Sequence, residues 1–144
     1  MSTVARQLAD LHRAGPVLEC LVGPTRSRVA AAMANGSVIP SPVAIRAVVD
    51  TGASDSVLNS SLIHRLALEP RGRTWMRIPM GEQPIETRQY AVDLLLPSGE
   101  VLSEVAVLAA DLEGHPVQAL LGRDVLSRAV LVYVGELNAY SLSF

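Results

Sequence analysis

The sequence predicts a mainly β protein with a single domain, built as a small β-barrel or sandwich. Short runs rich in valine, isoleucine and leucine recur at a spacing of roughly ten residues, with glycine or proline turns between them. Helical periodicity is confined to a few short segments. The 144 residues match the usual length of one domain, and 49% hydrophobic against 18% charged residues can fill its core. We therefore expect residues 1–144 to form one domain.

The strands are predicted from apolar, β-branched runs that turn residues bound on both sides. Residues 80–84 join two of these runs and indicate a projecting hairpin, and residues 135–137 join the last two as a second hairpin. The predicted strands are residues 16–22, 43–49, 56–58, 73–79, 85–96, 101–109, 117–121, 130–134 and 138–144.

The helices are predicted to be short and peripheral. Val4, Leu8 and Leu11 share one helical face before Gly15, so residues 1–14 are expected to form an N-terminal helical extension. The other predicted helices are residues 27–35, which end at Gly36, residues 60–66, which Asn59 can N-cap, and residues 123–128, which follow Gly122.

Composition argues against several classes of partner. With a net charge of −2, one tryptophan, three tyrosines and one phenylalanine, the chain lacks the basic surface and stacking platform of a nucleic-acid binder. The longest uncharged stretch, residues 29–45, contains Pro40 and Pro42, so we expect no membrane span. Arg6 and Asp10 interrupt the apolar character of the N-terminus, so no signal peptide is predicted and a cytoplasmic protein is expected.

Cysteine, histidine and lysine usage narrows the possible chemistry. Cys20 is the only cysteine, which excludes an intrachain disulfide and a cysteine-based metal cluster. His12, His64 and His115 lack metal-ligand spacing, so neither a metal nor another cofactor is expected. All twelve basic residues are arginine, which removes the lysine of Schiff-base enzymes and of phosphate-binding loops.

One aspartate is placed as a catalytic group would be. Asp50 follows the apolar run Ala47-Val48-Val49 and opens the turn Thr51-Gly52-Ala53-Ser54, so a strand delivers its carboxylate to a surface. No second Asp-Thr-Gly or Asp-Ser-Gly occurs in the chain. A lone exposed aspartate near neutral pH is ionised and has no proton to give. Chemistry at Asp50 therefore requires a partner from another copy of the chain.

A second motif, Leu120-Leu121-Gly122-Arg123, gives the first one a context. Residues 48–58 contain an apolar pair, then Asp-Thr-Gly-Ala, a short polar stretch and a second apolar pair. With these two motifs the chain resembles the retropepsin family. These are the single-domain aspartic proteases of retroviruses and of their bacterial and eukaryotic relatives. The resemblance covers residues 43–144 and the strand at 16–22. It implies a closed β-barrel with a flap hairpin, in a cellular, bacterial member of the family.

The resemblance also implies a mechanism. The protein is expected to be an aspartic endopeptidase that acts as a homodimer on a peptide or protein substrate, with water as its only essential cofactor. Two Asp50 carboxylates, one from each subunit, would share one proton because two like charges this close are costly. The ionised carboxylate would take a proton from water while the protonated one donates to the scissile carbonyl.

The site residues follow from the same resemblance. Asp50, Thr51 and Gly52 form the catalytic group, with Thr51 fixing the geometry across the dimer and Gly52 allowing substrate to approach the backbone. Residues expected to contact substrate are Ala53, Ser54 and Asp55 after the turn and Met80, Gly81 and Glu82 at the flap tip. Residues expected to support the site are Leu121, Gly122 and Arg123, with Arg123 bracing the turn near Asp50.

The chain also departs from retroviral members and leaves an alternative open. Gly81 is the single glycine of the flap tip, and Ser54 stands where retroviral enzymes often carry the first of two acidic residues. Residues 141–144 resemble the C-terminal strand that crosses the retroviral dimer interface. The alternative function is a dimeric peptide-binding or scaffold domain that keeps the protease fold without useful turnover.

Overall fold

The computed structural model of the chain describes residues 1–77 and 83–144. Its strands are β1 (Thr3–Gln7), β2 (Val17–Pro24), β3 (Val43–Val49), β4 (Val57–Asn59), β5 (Gly72–Met76), β6 (Ile85–Leu95), β7 (Val101–Ala110), β8 (Ala119–Leu121), β9 (Val130–Val134) and β10 (Ala139–Ser143). Its helices are α1 (Leu11–Ala14), α2 (Arg26–Asn35), α3 (Ser60–Arg65) and α4 (Arg123–Leu126), and a 3-10 turn spans Gly135–Leu137.

Six strands close into a barrel in the order β2-β3-β8-β4-β7-β6, because β6 also pairs with β2 through Leu94 and Leu95. The pairs β3–β8 and β4–β7 are parallel and the others are antiparallel. Strand β5 pairs with the first half of β6 and extends from the barrel as the base of the predicted hairpin. The prediction of a mainly β, closed-barrel fold with a few short helices is confirmed.

The core fills the barrel with aliphatic side chains from alternate strand positions. Leu18, Val22, Val92, Leu94 and Leu121 are each at most 2% exposed, and the period of two along each strand points them inward. Cys20 is buried among them, and burial raises the pKa of its thiol to about 11.

The N-terminal helical extension is wrong over most of its length. Residues Thr3–Gln7 form β1, which pairs antiparallel with β10, and only Leu11–Ala14 is helical. The spacing of Val4 and Leu11 fits one face of a helix, but Val4 is buried as a strand residue opposite Leu142. Pairing with β10 thus overrides a weak local helical pattern.

A second sheet, β1-β10-β9, packs beside the barrel. The hydroxyl of Tyr140 in β10 donates to the carbonyl of Val17 at 2.6 Å and ties the sheet to the start of β2. Both edges of β10 are filled by strands of the same chain, β1 and β9. The final strand therefore has no free edge for a partner, which differs from the expected interface-crossing strand.

Local signals correctly predicted the end of α2 before Gly36 and the start of α3 after Asn59. Thr25 caps α2 by accepting a hydrogen bond from the Arg28 amide, and Gly36 ends it in the left-handed conformation at φ 73°. Asn59 holds the N-cap position of α3, but its side chain does not cap the helix. The side-chain NH₂ group of Asn59 instead donates to the Ser61 hydroxyl, and its side-chain Oδ1 accepts from the Leu112 backbone amide. Across residues 1–77 and 83–144, no helix is long and apolar enough to cross a membrane.

Candidate active site

Asp50 stands at the mouth of the barrel, immediately after β3. Strand β3 runs parallel to β8, with Val49 in register with Leu121, and the Asp50 amide donates to the Leu121 carbonyl at 2.9 Å. Val49, the residue before Asp50, is buried, whereas Asp50 itself is partly exposed. The structure places the Asp50 carboxylate at the end of a strand, as the sequence predicted.

The turn after Asp50 holds its carboxylate. The Gly52 amide donates to Oδ1 of Asp50 at 2.9 Å, and the Ala53 amide donates to the Asp50 carbonyl at 3.2 Å. A Cβ at position 52 would lie 3.2 Å from the same Oδ1. Thr51 and Gly52 are exposed, so this face of the turn is open to a substrate or a second subunit.

Helix α4 forms backbone and side-chain hydrogen bonds with the loop that follows Asp50. The Arg123 amide donates to the Ala53 carbonyl at 2.8 Å, and the Asp124 amide donates to the Ser54 carbonyl at 3.2 Å. The Arg123 guanidinium donates to the Thr51 carbonyl at 2.8 Å. The Arg123 guanidinium therefore reaches the turn that follows Asp50, where the sequence placed it.

Gly122 permits the close contact between that helix and the loop. A Cβ at position 122 would lie 2.8 Å from the carbonyl carbon and oxygen of Asp55 and 2.9 Å from the Ala53 carbonyl oxygen. These are backbone atoms, which cannot move aside as the end of a side chain can. The Gly-Arg motif thus places a glycine where the loop crosses α4 and an arginine where it reaches back to Thr51.

Ser56 and Asp124 form a contact that the sequence did not single out. The Asp124 carboxylate accepts from the Ser56 amide at 3.0 Å, from the Ser56 hydroxyl at 2.7 Å and from the Val125 amide at 2.8 Å. The Ser56 hydroxyl also accepts from the Gly122 amide at 3.0 Å. Ser56 is fully buried, so this network fixes the end of the loop to α4.

A cleft of about 600 Å³ opens beside Asp50. Aliphatic side chains form much of its lining, and the exposed Trp75 of β5 also lines it. Val57 lines the cleft, whereas Val117 is buried in the core. The lining residues are Asp50, Gly52, Ala53, Ser54, Asp55, Val57, Trp75, Met76, Arg77, Leu108, Ala110, Leu112, Leu120 and Arg123.

The polar side chains that line the cleft are Asp50, Ser54 and Asp55 of the loop, together with Arg77 and Arg123. The Ser54 hydroxyl donates to Oδ2 of Asp55 at 2.9 Å, so the two predicted substrate contacts are coupled. The remaining predicted substrate contacts, Met80, Gly81 and Glu82, lie outside the described residues. Within the described ranges no group of three or more His, Cys, Asp or Glu side chains could hold a metal ion.

The arrangement can bind an extended peptide and place one carboxylate against it. Exposed loop backbone next to an aliphatic wall suits a substrate main chain with apolar side chains. A water held by a single aspartate would lack the second group that gives a proton to the leaving atoms. Hydrolysis of a peptide at this cleft would therefore need a second acid–base group beside Asp50.

Comparison with known proteins agrees with this geometry. The model of a protein family described as aspartyl protease matches residues 29–125 of the chain. A crystal structure of a retropepsin-like aspartic protease from Rickettsia conorii aligns at a TM-score of 0.54 and 15% identity, covering 99% of this chain and 94% of that one. At this identity the likeness shows the fold alone.

Two further structures are similar at lower TM-scores. The EIAV protease complexed with the inhibitor HBY-793 is 28% identical at a TM-score of 0.42, over 58% of this chain and 75% of that one. The retroviral protease-like domain of Ddi1 from Leishmania major is 17% identical at 0.44, over 87% of this chain and 86% of that one. No curated protein sequence matches the chain.

Proposed function

We propose that the chain, which belongs to the retropepsin-like aspartyl protease family, is an aspartic endopeptidase that is active as a homodimer. The observation that carries the proposal is the single Asp50 carboxylate, held by its own Asp-Thr-Gly turn at the edge of a peptide-sized cleft. A second copy, related by a two-fold axis, supplies the second carboxylate.

The chemistry requires the two Asp50 carboxylates within hydrogen-bond range, sharing one proton. The ionised carboxylate removes a proton from a bound water, whose oxygen attacks the scissile carbonyl carbon, while the protonated carboxylate donates to the carbonyl oxygen. The diol then collapses: the C–N bond breaks, the protonated carboxylate gives its proton to the nitrogen, and one diol hydroxyl returns its proton to the ionised carboxylate, so the pair again holds one proton. No covalent enzyme intermediate forms.

The surrounding residues position the peptide rather than react with it. The exposed backbone at Gly52 lets the substrate approach Asp50, and the coupled Ser54 and Asp55 offer polar contacts to its main chain. Val57, Leu108 and Leu120 give an aliphatic surface for the side chains beside the scissile bond. We therefore propose cleavage next to apolar residues in extended peptides.

The test is cleavage of a peptide library by wild type and by Asp50→Asn. Asparagine keeps the shape of the side chain but removes the acid–base function, so we expect kcat/KM to fall by at least about 10³-fold. The matched control is Asp10→Asn, an exposed residue that caps α1 away from the cleft and whose capping role asparagine can keep.

The outcomes separate the two functional hypotheses. Equal cleavage by wild type and Asp50→Asn would reject catalysis by Asp50. Peptide binding without cleavage by either protein would favour the non-catalytic scaffold. Loss of cleavage in Asp50→Asn, with Asp10→Asn as active as wild type, is the result the proposal predicts.

A further inference from the structure

The hairpin formed by β5 and β6 carries a local excess of positive charge. Over residues 71–77 and 83–90 the charged side chains are one glutamate, Glu86, and four arginines, Arg71, Arg73, Arg77 and Arg88. The chain as a whole has a net charge of −2, so this concentration of arginine is confined to the hairpin. A local excess of one sign attracts ligands of the opposite sign to that part of the surface.

Strand pairing brings two of these arginines together. Arg73 of β5 is directly opposite Arg88 of β6, and Trp75 is directly opposite Glu86. Because residues two apart on a strand point to the same side, these four side chains share one face of the hairpin. Like charges directly opposite each other destabilise a sheet, so the arginine pair opposes folding. Local rules broken in this way are expected at functional sites.

The side chains of this face extend into solvent. Trp75 is 65% exposed, and Arg73 and Arg88 are exposed as well. Arg73 lies 3.4 Å from Glu86 in an exposed ion pair, which contributes little to binding energy. Arg88 forms no ion pair with any residue that the structure describes. The guanidinium groups are therefore accessible to a ligand. The arginine face of the hairpin consists of Arg73, Trp75, Arg77 and Arg88.

The arginine face is continuous with the cleft beside Asp50. Trp75 and Arg77 line that cleft, and Arg73 lies two residues farther along β5, about 7 Å from Trp75. An extended peptide that leaves the cleft past Trp75 therefore meets Arg73 and Arg88 next. Guanidinium groups bind carboxylates strongly, because two parallel N–H groups match the two carboxylate oxygens.

We infer that the arginine face is a second binding site, which holds an acidic segment of the protein substrate several residues away from the bond that is cut. The site selects substrates that combine apolar residues at the scissile bond with nearby glutamates or aspartates. This inference rests on the proposed function, because the acidic segment belongs to the same chain as the peptide in the cleft.

An acidic peptide suits the arginine face better than a single-stranded nucleic acid does. Proteins that bind single strands stack successive bases on several aromatic side chains along a basic groove. Trp75 is the only aromatic residue of segments 71–77 and 83–89, and the net charge of the whole chain repels a long run of phosphates. The face also adjoins a cleft whose exposed loop backbone suits a peptide main chain.

The experiment compares two peptides that share one cleavable apolar sequence, taken from the library above, and differ only in a flanking run of glutamates or of glutamines. For wild type at low salt, we expect kcat/KM to be at least about 10-fold higher for the glutamate peptide, mainly through a lower KM. Added salt should reduce this ratio. Arg88→Glu should bring the ratio to about one, because it reverses a charge of the arginine face.

The matched control is Arg65→Glu, which makes the same change of net charge at an exposed residue of α3 that does not line the cleft. Its ratio should equal that of wild type. Loss of the preference in this control would assign the effect to overall charge and overturn the inference. A wild-type ratio of about one, or an Arg88→Glu ratio equal to that of wild type, would also overturn it. If the glutamine peptide is still cleaved in these cases, the proposed function stands and only the second site fails.

Trp75 gives a readout that needs no catalysis, because it is the only tryptophan of the chain. Asp50→Asn is titrated with the same two peptides, made without aromatic residues, while Trp75 fluorescence is followed. We expect the Kd for the glutamate peptide to be at least about 10-fold lower, and added Arg88→Glu to remove the difference.

This titration separates failure of the second site from failure of the proposed function. If wild type cleaves no peptide of the library, the proposed function is rejected and the titration alone decides whether the arginine face binds acidic peptide. Equal Kd values for the two peptides would overturn the inference. Tighter binding of an oligothymidylate strand than of the glutamate peptide would overturn it as well, by identifying the face as a nucleic-acid site.

Discussion

The Asp124 carboxylate accepts hydrogen bonds from the backbone amide of Ser56 at 3.0 Å and from its hydroxyl at 2.7 Å. Because Ser56 ends the loop that begins at Asp50, this contact joins the loop to the helix opened by Gly122 and Arg123. The loop is thus held at its start by the Leu121 carbonyl of β8, at its middle by Arg123, and at its end by Asp124. Rigid support of this kind keeps a side chain such as that of Asp50 in one orientation.

Removing the Ser56 hydroxyl should loosen this loop. Ser56→Ala leaves the buried Gly122 amide without its acceptor and Asp124 without one donor, so we expect the free energy of unfolding to fall by about 1–3 kcal/mol. Peptide cleavage should weaken as well. Urea unfolding and kcat/KM measure the two effects. Ser127→Ala, which removes an exposed hydroxyl from the C-cap of the same helix, serves as the control and should change stability by less than about 0.5 kcal/mol.

Gly122 should be intolerant of any side chain. Gly122→Ala puts a methyl group 2.8 Å from the backbone of Asp55, so the loop and α4 must separate. We expect destabilisation of at least about 2 kcal/mol and loss of cleavage. Gly72→Ala is the comparison, because a Cβ there meets nothing within 4 Å and the backbone needs no positive φ. Equal melting temperatures for the two variants would show that the close contact is not rigid.

The residue at position 53 should set the acid limit of activity. Ala53 offers no hydroxyl to the neighbouring carboxylate, whereas a serine hydroxyl at this position can stabilise the anion. Ala53→Ser should therefore move the acidic limb of the kcat/KM profile to lower pH. A profile of the variant that overlays that of wild type would count against the proposed role of this position.

Glu104 should make the free energy of unfolding depend on pH in the acidic range. Hydrogen bonds from Ser27 and then Arg71 lower its pKa below the ordinary value of 4.5. Since the folded pKa is the lower one, the stabilisation is complete above the unfolded value and is lost as the pH falls through the folded value. In urea unfolding, the difference between wild type and Glu104→Gln should be largest above pH 4.5 and shrink below it. Glu113→Gln, in the exposed loop before β8, should show no such narrowing.

The barrel could be predicted closely because its signals are local. Strand β3 has the predicted bounds, since a β-branched run ends at a turn whose residues admit no continuation of the strand. Helix α2 ends at Asn35 before Gly36, as predicted, and begins at Arg26, one residue before the predicted start. Asp50 and Gly122 were identified because each lies in a recognisable motif.

The features that the sequence did not predict depend on distant contacts. Ser56 and Asp124 are common polar residues 68 positions apart, and only the fold brings them together. Val4 satisfies a helical pattern as well as a strand, and pairing with β10 decides between them. The filled edges of β10 could not be read from its sequence, which resembles an interface strand whether it pairs within the chain or between chains.

The central claim, that one active site needs Asp50 from two copies, is tested most directly by mixing. Wild type and Asp50→Asn are combined at constant total concentration, allowed to exchange subunits, and assayed for peptide cleavage. If mixed dimers are inactive, an equal mixture keeps about one quarter of the wild-type activity, because activity follows the square of the wild-type fraction. Retention of about one half, in direct proportion to the wild-type fraction, would contradict the account by showing that each chain works alone.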